Sequence, residues 1–545
     1  MTVAAGRTDN IKLELLVTEA LAEWLPERLE ALGVPGASVG VTTRNGLLWA
    51  KAYGRRERGN EGEVSPETLF CIRSLTKSIT ALGVLVAVQE GLLDLDTPVV
   101  RYAPDCLPQT RYGEQPEHHV TLRHLLANRA GFTHDEPPGN ADAEAPGHFE
   151  RRIAAISRSW FRFPVGLRYA YSNLHFDLAG YIVQVAAGMP FAKYMMEAVL
   201  KPLGMHDTTY DWRQVANSAN LARGHAPDGT LQRVGIPEGP SAGVYSNVPD
   251  MSRFFRFHLD GGRPAATPLL NEDLMAEYRR VQFPHPGQRA GYCLGILRQR
   301  VSDTYSLCHS GGGHGYQTQQ IIYPELGFAV VLLTNLDGHG LTVGPLQQLL
   351  DDIVREQLGP EPATDALPSQ AVRLTDDDPR IQAVLGRYWE GGDWVVEQHD
   401  GKTLLRTESR TAAPLVFYED AGALVAMRKP TELLRFAPGE RGAPPMLLRT
   451  DLRLHGCDYR VLNGAFQGRE GPNRSEWSRF CGDYDILWQD KPIDTVHVHV
   501  RNGYLYFDDR ECTEHEPGLF FTCDGEAIDF RGSTLTAANM ILRKR

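Results

Sequence analysis

The 545-residue chain has no apolar run long enough to cross a bilayer as a helix, which takes about 20 residues. Its opening residues, Met1-Thr2-Val3-Ala4-Ala5-Gly6-Arg7-Thr8-Asp9-Asn10, hold no apolar core of the kind that directs secretion, so a cytoplasmic protein is expected. No two cysteines have the Cys-x-x-Cys spacing, which removes a zinc ribbon and a dithiol redox pair. The eight cysteines, at 71, 106, 293, 308, 457, 481, 512 and 523, read most simply as free thiols, while an even count leaves disulfides open. Positive charge is not in excess either. The formal net charge is -12, so no general nucleic-acid-binding face is expected.

What is present is ordinary globular material. Hydrophobic residues make up 42% and charged residues 23%, enough for buried cores under a polar surface. The length exceeds what a single core organises, so about two to four domains are expected. Residues 11–32 carry Leu13, Leu15, Leu16, Ala20, Leu21 and Trp24 at helical spacing. Residues 37–43 and 47–54 flank Asn45-Gly46, the signature of a tight hairpin. Helices are expected over 81–91, 121–128, 151–161, a stretch from Leu174 to Val183, and 341–357, with strands over 317–323 and 328–334. Residues 133–148, rich in Asp, Glu, Pro, Gly and His, read as an exposed loop. Together these predict an α/β domain over residues 1–360.

Beyond it the character changes. Residues 361–380 are a polar linker. Residues 381–470 and 476–545 show short alternating runs with turn signals and almost no helical period, which predicts two small antiparallel β modules, barrels or sandwiches. Gly386-Arg387-Tyr388 followed by Asp400-Gly401 is echoed by Gly482-Asp483-Tyr484 followed by Asn502-Gly503, which favours two related modules over one larger barrel.

Three short stretches carry chemistry. Ser74-Leu75-Thr76-Lys77 opens the apolar helix, and residues three apart share a helix face, so the Ser74 hydroxyl and the Lys77 amine are expected side by side. A serine hydroxyl needs a base to become a nucleophile, and burial disfavours the charged form of lysine, which suits it to that task. Tyr171-Ser172-Asn173 lies at the start of another helix. His309-Ser310-Gly311-Gly312-Gly313-His314 precedes a strand, where glycines admit a ligand close to the backbone. A second Tyr-Ser-Asn, Tyr245-Ser246-Asn247, is followed by Val248-Pro249-Asp250 and reads as a helix cap instead.

In this order the three stretches resemble the Ser-x-x-Lys, Tyr-x-Asn and Lys- or His-x-Gly elements of the serine β-lactamase and penicillin-binding-protein superfamily. The match is nearest to its class C β-lactamase, esterase and D-aminopeptidase branch, over roughly residues 11–357. Flanking text also matches, at Thr121-Leu122-Arg123-His124-Leu125-Leu126, Pro164-Val165-Gly166 and Ser241-Ala242-Gly243-Val244-Tyr245-Ser246. The resemblance implies an antiparallel sheet flanked by helices, with the C-terminal modules similar to the lipocalin-like barrels of D-aminopeptidases. In those enzymes a barrel loop can narrow the substrate range.

It also implies roles. Ser74 resembles the acylated nucleophile, and Lys77 and Tyr171 the proton-handling pair, with the primary base left open between them. Asn173 resembles the amide that orients Lys77 and the substrate. The N–H groups of Ser74 and Gly312 resemble the oxyanion hole. Ser310, Gly311 and Gly312 would line the substrate strand, and His314 either the pocket rim or a surface loop. His309 stands where β-lactamases carry lysine. That turns the expectation from β-lactamase activity towards the branch's esterases, D-amino-acid amidases and peptidases, and acyltransferases. Asn128-Arg129-Ala130-Gly131 departs from the usual His-Thr-Ser-Gly, which reads as altered packing beside the site.

The expected protein is therefore a serine hydrolase of D-aminopeptidase type acting on a small amide, peptide or ester. A carboxylesterase or acyltransferase of the same fold, and a non-catalytic sensor, are the alternatives. No metal or cofactor is implied: His118-His119 and His497-x-His499 lack a third ligand. No nucleic acid or membrane partner is expected, and a homo-oligomer is left open.

Overall fold

The computed structural model describes residues 5–59, 62–112, 116–135, 148–232, 239–262, 268–283, 290–342, 344–360, 372–389, 393–407, 410–420, 423–429, 432–437, 446–451, 460–465, 474–488, 491–501, 503–508, 510–522 and 525–545. Residues 136–147, most of the expected loop at 133–148, lie outside this set, as do 361–371 of the expected linker and cysteines 457 and 523. The six described cysteines form no disulfide.

A seven-stranded antiparallel sheet organises the N-terminal domain. Its order is Gly46–Gly54, Gly36–Thr43, Phe328–Thr334, Tyr316–Tyr323, Thr304–Gly313, Leu297–Val301 and Gly291–Tyr292. The hairpin about Asn45-Gly46 forms as expected, with Gly46 at φ 122. Every residue of Gly36–Thr43, Tyr316–Tyr323 and Phe328–Thr334 is buried, because helices cover both faces. The period of two along Phe328–Thr334 sorts its side chains. Val330 and Leu332 join Val39 and Val41 under the helices Ala5–Ala31 and Pro345–Leu358. Val331 and Leu333 face the larger core with the helices Thr76–Gln89, Asn173–Ala187 and Val248–Leu259. The first helix starts earlier than the expected residue 11, and Pro26 lies inside it.

Thr76–Gln89 is enclosed all round, with each residue from Thr76 to Ala87 buried and the run from Ala81 to Val88 apolar. Such a helix belongs at the centre of a domain. The sheet grips its N-terminal end through polar side chains. Thr318 Oγ1 donates to the Ile72 carbonyl (2.8 Å), and Gln320 Nε2 donates to Ser78 Oγ (3.0 Å). Asn247 caps Val248–Leu259 by accepting from the Asp250 N–H at 2.9 Å, the role read for the second Tyr-Ser-Asn.

The C-terminal region forms two separate β units. One is a ten-stranded antiparallel sheet drawn from residues 372–465, and the other a closed eight-stranded barrel spanning Gly482–Lys544. Both Gly-x-Tyr signals start the first strand after a short helix, at Gly386–Trp389 and Gly482–Trp488. Part of the segment read as linker packs onto the first unit. Val372–Arg373 pairs with Val416–Asp420, and the helix Pro379–Gln382 buries Ile381 in that core. The barrel is filled by aromatic packing. The turn Ser475–Phe480 sets Trp477 and Phe480 against Phe520, and Phe480 stacks on Phe530 at 4.6 Å.

The barrel docks on the N-terminal domain. Arg162 Nε pairs with Glu526 Oε1 at 2.8 Å, with both side chains largely buried. Trp160 meets His515 and Phe521 edge-on, and the Arg111 guanidinium lies 4.1 Å over the Phe521 ring. Asn539, in the turn before the last strand, donates from Nδ2 to the Asp135 carbonyl at 2.8 Å. Gly525, at φ 88, lets the two backbones meet: a Cβ there would stand 2.2 Å from the Arg162 carbonyl oxygen. Gly525→Val is therefore expected to destabilise the docked barrel by roughly 1–3 kcal/mol. Calorimetry should show the barrel's transition shifted down, with faster proteolysis between the domains; an unchanged profile would refute this docking mode.

Candidate active site

The three stretches singled out in the sequence meet at the N-terminal end of the buried helix. One 3₁₀ turn, Arg73–Leu75, leads into Thr76–Gln89 and sets Ser74 one turn before Lys77. Lys77 is fully buried. Its Nζ lies 3.1 Å from Ser74 Oγ, 2.7 Å from Asn173 Oδ1 and 2.9 Å from the Ser241 carbonyl. Tyr171 donates its hydroxyl to Ser74 Oγ at 2.8 Å. The Ser74 oxygen thus sits between an amine and a phenol.

Each partner of Lys77 is itself held. Asn173 Nδ2 donates to Asp135 Oδ1 (2.9 Å), which fixes which amide atom faces the amine. Ser241 presents its carbonyl because its N–H donates to Asp177 Oδ1 (3.0 Å). Asp177 in turn forms a buried ion pair with Arg152 at 2.8 Å. Such a pair is costly to break from one side, since the remaining charge stays buried. Tyr171 is bracketed by Asn128, a left-handed residue at φ 55. Its carbonyl accepts from the Ala170 N–H and its Oδ1 from the Ser172 N–H.

His309 is buried at the other side of Tyr171, with ring centroids 6.1 Å apart. Burial, with a smaller push from Lys77, lowers its pKa to about 3. Its Nδ1 lies 2.7 Å from the Ser310 carbonyl, which can only accept, so Nδ1 carries the proton. Nε2 then has a lone pair, and the Tyr292 hydroxyl, 3.0 Å away, donates to it. The imidazole is neutral, and both nitrogens are engaged.

The strand Thr304–Gly313 runs past Ser74. Its neighbour Leu297–Val301 pairs only as far as Cys308, so residues 309–313 keep one edge open. Gly311 is pressed against the turn before Ser74, where a Cβ would come within 2.6 Å of the Ile72 carbonyl. Gly312 is exposed, and its carbonyl accepts from Arg73 Nε at 3.2 Å. Within an extended strand a residue's N–H and C=O point to the same edge, so the Gly312 N–H also faces the Ser74 side. Ser310 is half-buried in this strand. His314 lies in the tight turn after it, at φ 52 beside Gly315 at φ 88.

The remaining histidine pairs stay apart from this cluster. His118 and His119 occupy the short turn Pro116–His119, while His497 bonds Asp483 and stacks on His499. Among the described residues no three His, Cys, Asp or Glu side chains gather as a metal site. Nor is any described helix long and apolar enough to cross a membrane. Sequence reasoning missed Arg73, Asp135, Tyr292 and the Ser241 carbonyl as site groups. Only Ser241 lay in text already noted as characteristic.

Comparison with known proteins finds relatives over the N-terminal domain and a family match. Protein flp of Staphylococcus aureus (strain N315) is 26% identical over 313 residues, 56% of this chain, and the chain spans 60% of that relative's length. The D-alanyl-D-alanine-carboxypeptidase/endopeptidase AmpH of Escherichia coli (strain K12) is 26% identical over 350 residues, covering 61% of this chain and 86% of AmpH. The crystal structure of SurE with D-Leu superposes with a TM-score of 0.53 at 24% identity, over 84% of this chain and 100% of SurE, a likeness of fold. The Beta-lactamase family profile matches residues 21–352, which contain Ser74, Lys77, Tyr171, Asn173 and His309, and the chain belongs to that family.

Proposed function

We propose that the chain is a serine hydrolase that forms an acyl-enzyme on Ser74, of D-aminopeptidase type, cleaving small amides or peptides. One observation carries this reading: Ser74 Oγ is hydrogen-bonded at once to Lys77 Nζ and Tyr171 OH, at 3.1 and 2.8 Å. Two of the amine's contacts, Asn173 Oδ1 and the Ser241 carbonyl, can only accept, so they take two N–H bonds. In the neutral amine the remaining lone pair then points at Ser74 and receives its proton as Oγ attacks the substrate carbonyl. The Ser74 and Gly312 N–H groups stabilise the oxyanion. The C–N bond breaks as the amine leaves with a proton relayed by Tyr171, and water attacks the acyl-enzyme by the reverse route.

The neutral His309 bears on substrate class. It offers no cation to a free carboxylate on the leaving side, which disfavours β-lactams and C-terminal D-alanyl peptides against amides and esters. On the other side, the Asp135 carboxylate, held by Asn173 at one oxygen and by His134 at the other, adds an acidic group to the acyl side, which is compatible with an acyl part bearing an amine. The D-Leu of the SurE structure is compatible with a small amino-acyl group of that kind.

A fluorophosphonate should add its mass to the peptide containing Ser74. Ser74→Ala should lose both the adduct and at least about 10³-fold in turnover. Turnover unchanged in Ser74→Ala would overturn the proposal. Against a panel of D- and L-aminoacyl p-nitroanilides, p-nitrophenyl esters and D-alanyl-D-alanine peptides, the D-aminoacyl amides should react best and the carboxylate-bearing peptides worst.

The His309 arrangement has its own signature. Imidazole ¹⁵N spectra should show a neutral Nδ1–H ring that does not titrate between pH 5 and 9, where an exposed histidine would near 6.5. Its depressed pKa gives stability that is present above about pH 6.5 and lost as pH falls towards 3, by up to ~1.4 kcal/mol per unit. Denaturant melts should therefore show a shallower loss of stability below pH 6.5 in His309→Gln than in the wild type.

A further inference from the structure

The residue before the nucleophile is the outlier of the site. Arg73 adopts a left-handed backbone, φ 52, which costs a side-chain-bearing residue about 1–2 kcal/mol and a glycine nothing. Its side chain is nonetheless buried at 4% exposure, and does not extend into solvent. It crosses from the Ser74 turn to the open edge of the strand Thr304–Gly313. Nε donates to the Gly312 carbonyl at 3.2 Å, and a guanidinium nitrogen lies 3.3 Å from where a Cβ on Gly313 would stand. The guanidinium therefore lies along the Gly312–Gly313 peptide.

The strand pairs with Tyr316–Tyr323 along its other edge, but on the open edge this peptide has no side chain of its own to anchor it. Gly311, Gly312 and Gly313 have no side chains to pack, Gly312 is exposed, and glycine carries the largest backbone entropy. On the far side, Asp337 Oδ1 accepts from the Gly313 N–H at 3.1 Å. Arg73 supplies the matching grip on the side facing Ser74.

We propose that Arg73 is a positioning residue for the oxyanion hole, setting both of its halves: its left-handed backbone orients the Ser74 N–H, and its guanidinium fixes the Gly312 carbonyl and with it the Gly312 N–H. The inference rests on the acyl-enzyme reading above and adds a residue to it. It also accounts for a strained arginine at a position where glycine would fit without strain.

The test compares Arg73→Gly and Arg73→Lys with the wild type in the full chain. Glycine relieves the strained backbone, so Arg73→Gly should melt at the wild-type temperature or above. Its kcat on a p-nitrophenyl ester should fall about 10- to 100-fold with KM little changed, a fraction of what deleting an oxyanion donor costs. Affinity for a boronic acid that forms a tetrahedral adduct on Ser74 should fall by the same factor. Arg73→Lys, which keeps a donor and a charge, should recover part of both. Wild-type kcat in Arg73→Gly, or a loss matched by a lower melting temperature and a proportionate rise in KM, would overturn the role of Arg73 while leaving the nucleophile in place. Absence of a fluorophosphonate adduct in the wild type would overturn the serine-hydrolase reading and this inference with it.

Discussion

A buried lysine amine is the constraint on which the site depends. Lys77 has no access to solvent, and an amine taken out of water is tolerated only where its donors find acceptors. Two acceptors come from separated segments, Asn173 at the head of another helix and the carbonyl of Ser241, and Ser74 on the preceding turn fills the third position. Withdrawing either acceptor leaves a buried donor unpaired, at a cost of about 1–3 kcal/mol. The groups that hold the acceptors, Asp135 on one side and the Arg152–Asp177 pair on the other, extend that requirement outward. Preorganisation around Ser74 thus follows from solvating one nitrogen.

How much of this was legible in the sequence follows the range of each interaction. The Ser74–Lys77 neighbourhood depends on helical geometry within one turn, so spacing alone revealed it. Tyr171 and Asn173 were found as a motif, because their chemistry sits on two residues of one loop. Tyr292 was not found. Its contact with His309 arises because Tyr292 pairs with Leu297, and Leu297 with Cys308, a register no local pattern records. The conformation of Arg73 was equally hidden, since arginine is not a residue that advertises a left-handed backbone.

The same division holds for the fold. Alternation after residue 386 announced β structure and its two Gly-x-Tyr starting points, but not which strands close on which. The segment 372–380 was read as linker because it is polar and short of apolar period. Its two-residue strand and single-turn helix owe their order to Phe417 and neighbouring core residues of the ten-stranded sheet. In the N-terminal domain, patterns strong enough to mark both faces of Phe328–Thr334 made the layered α/β arrangement readable.

The bond from Asn539 to Asp135 has a consequence in time. Asp135 braces Asn173, and Asn173 braces Lys77, so a residue from the barrel takes part in holding a loop laid down some 400 positions earlier. During synthesis the N-terminal domain emerges and folds first. Ser74 and Lys77 can then be in place long before the barrel exists, with the Asp135 loop still lacking its last anchor. The order of the chain makes the barrel the final fastening of the site, so a newly made protein should gain its full constellation late, after its nucleophile is already formed.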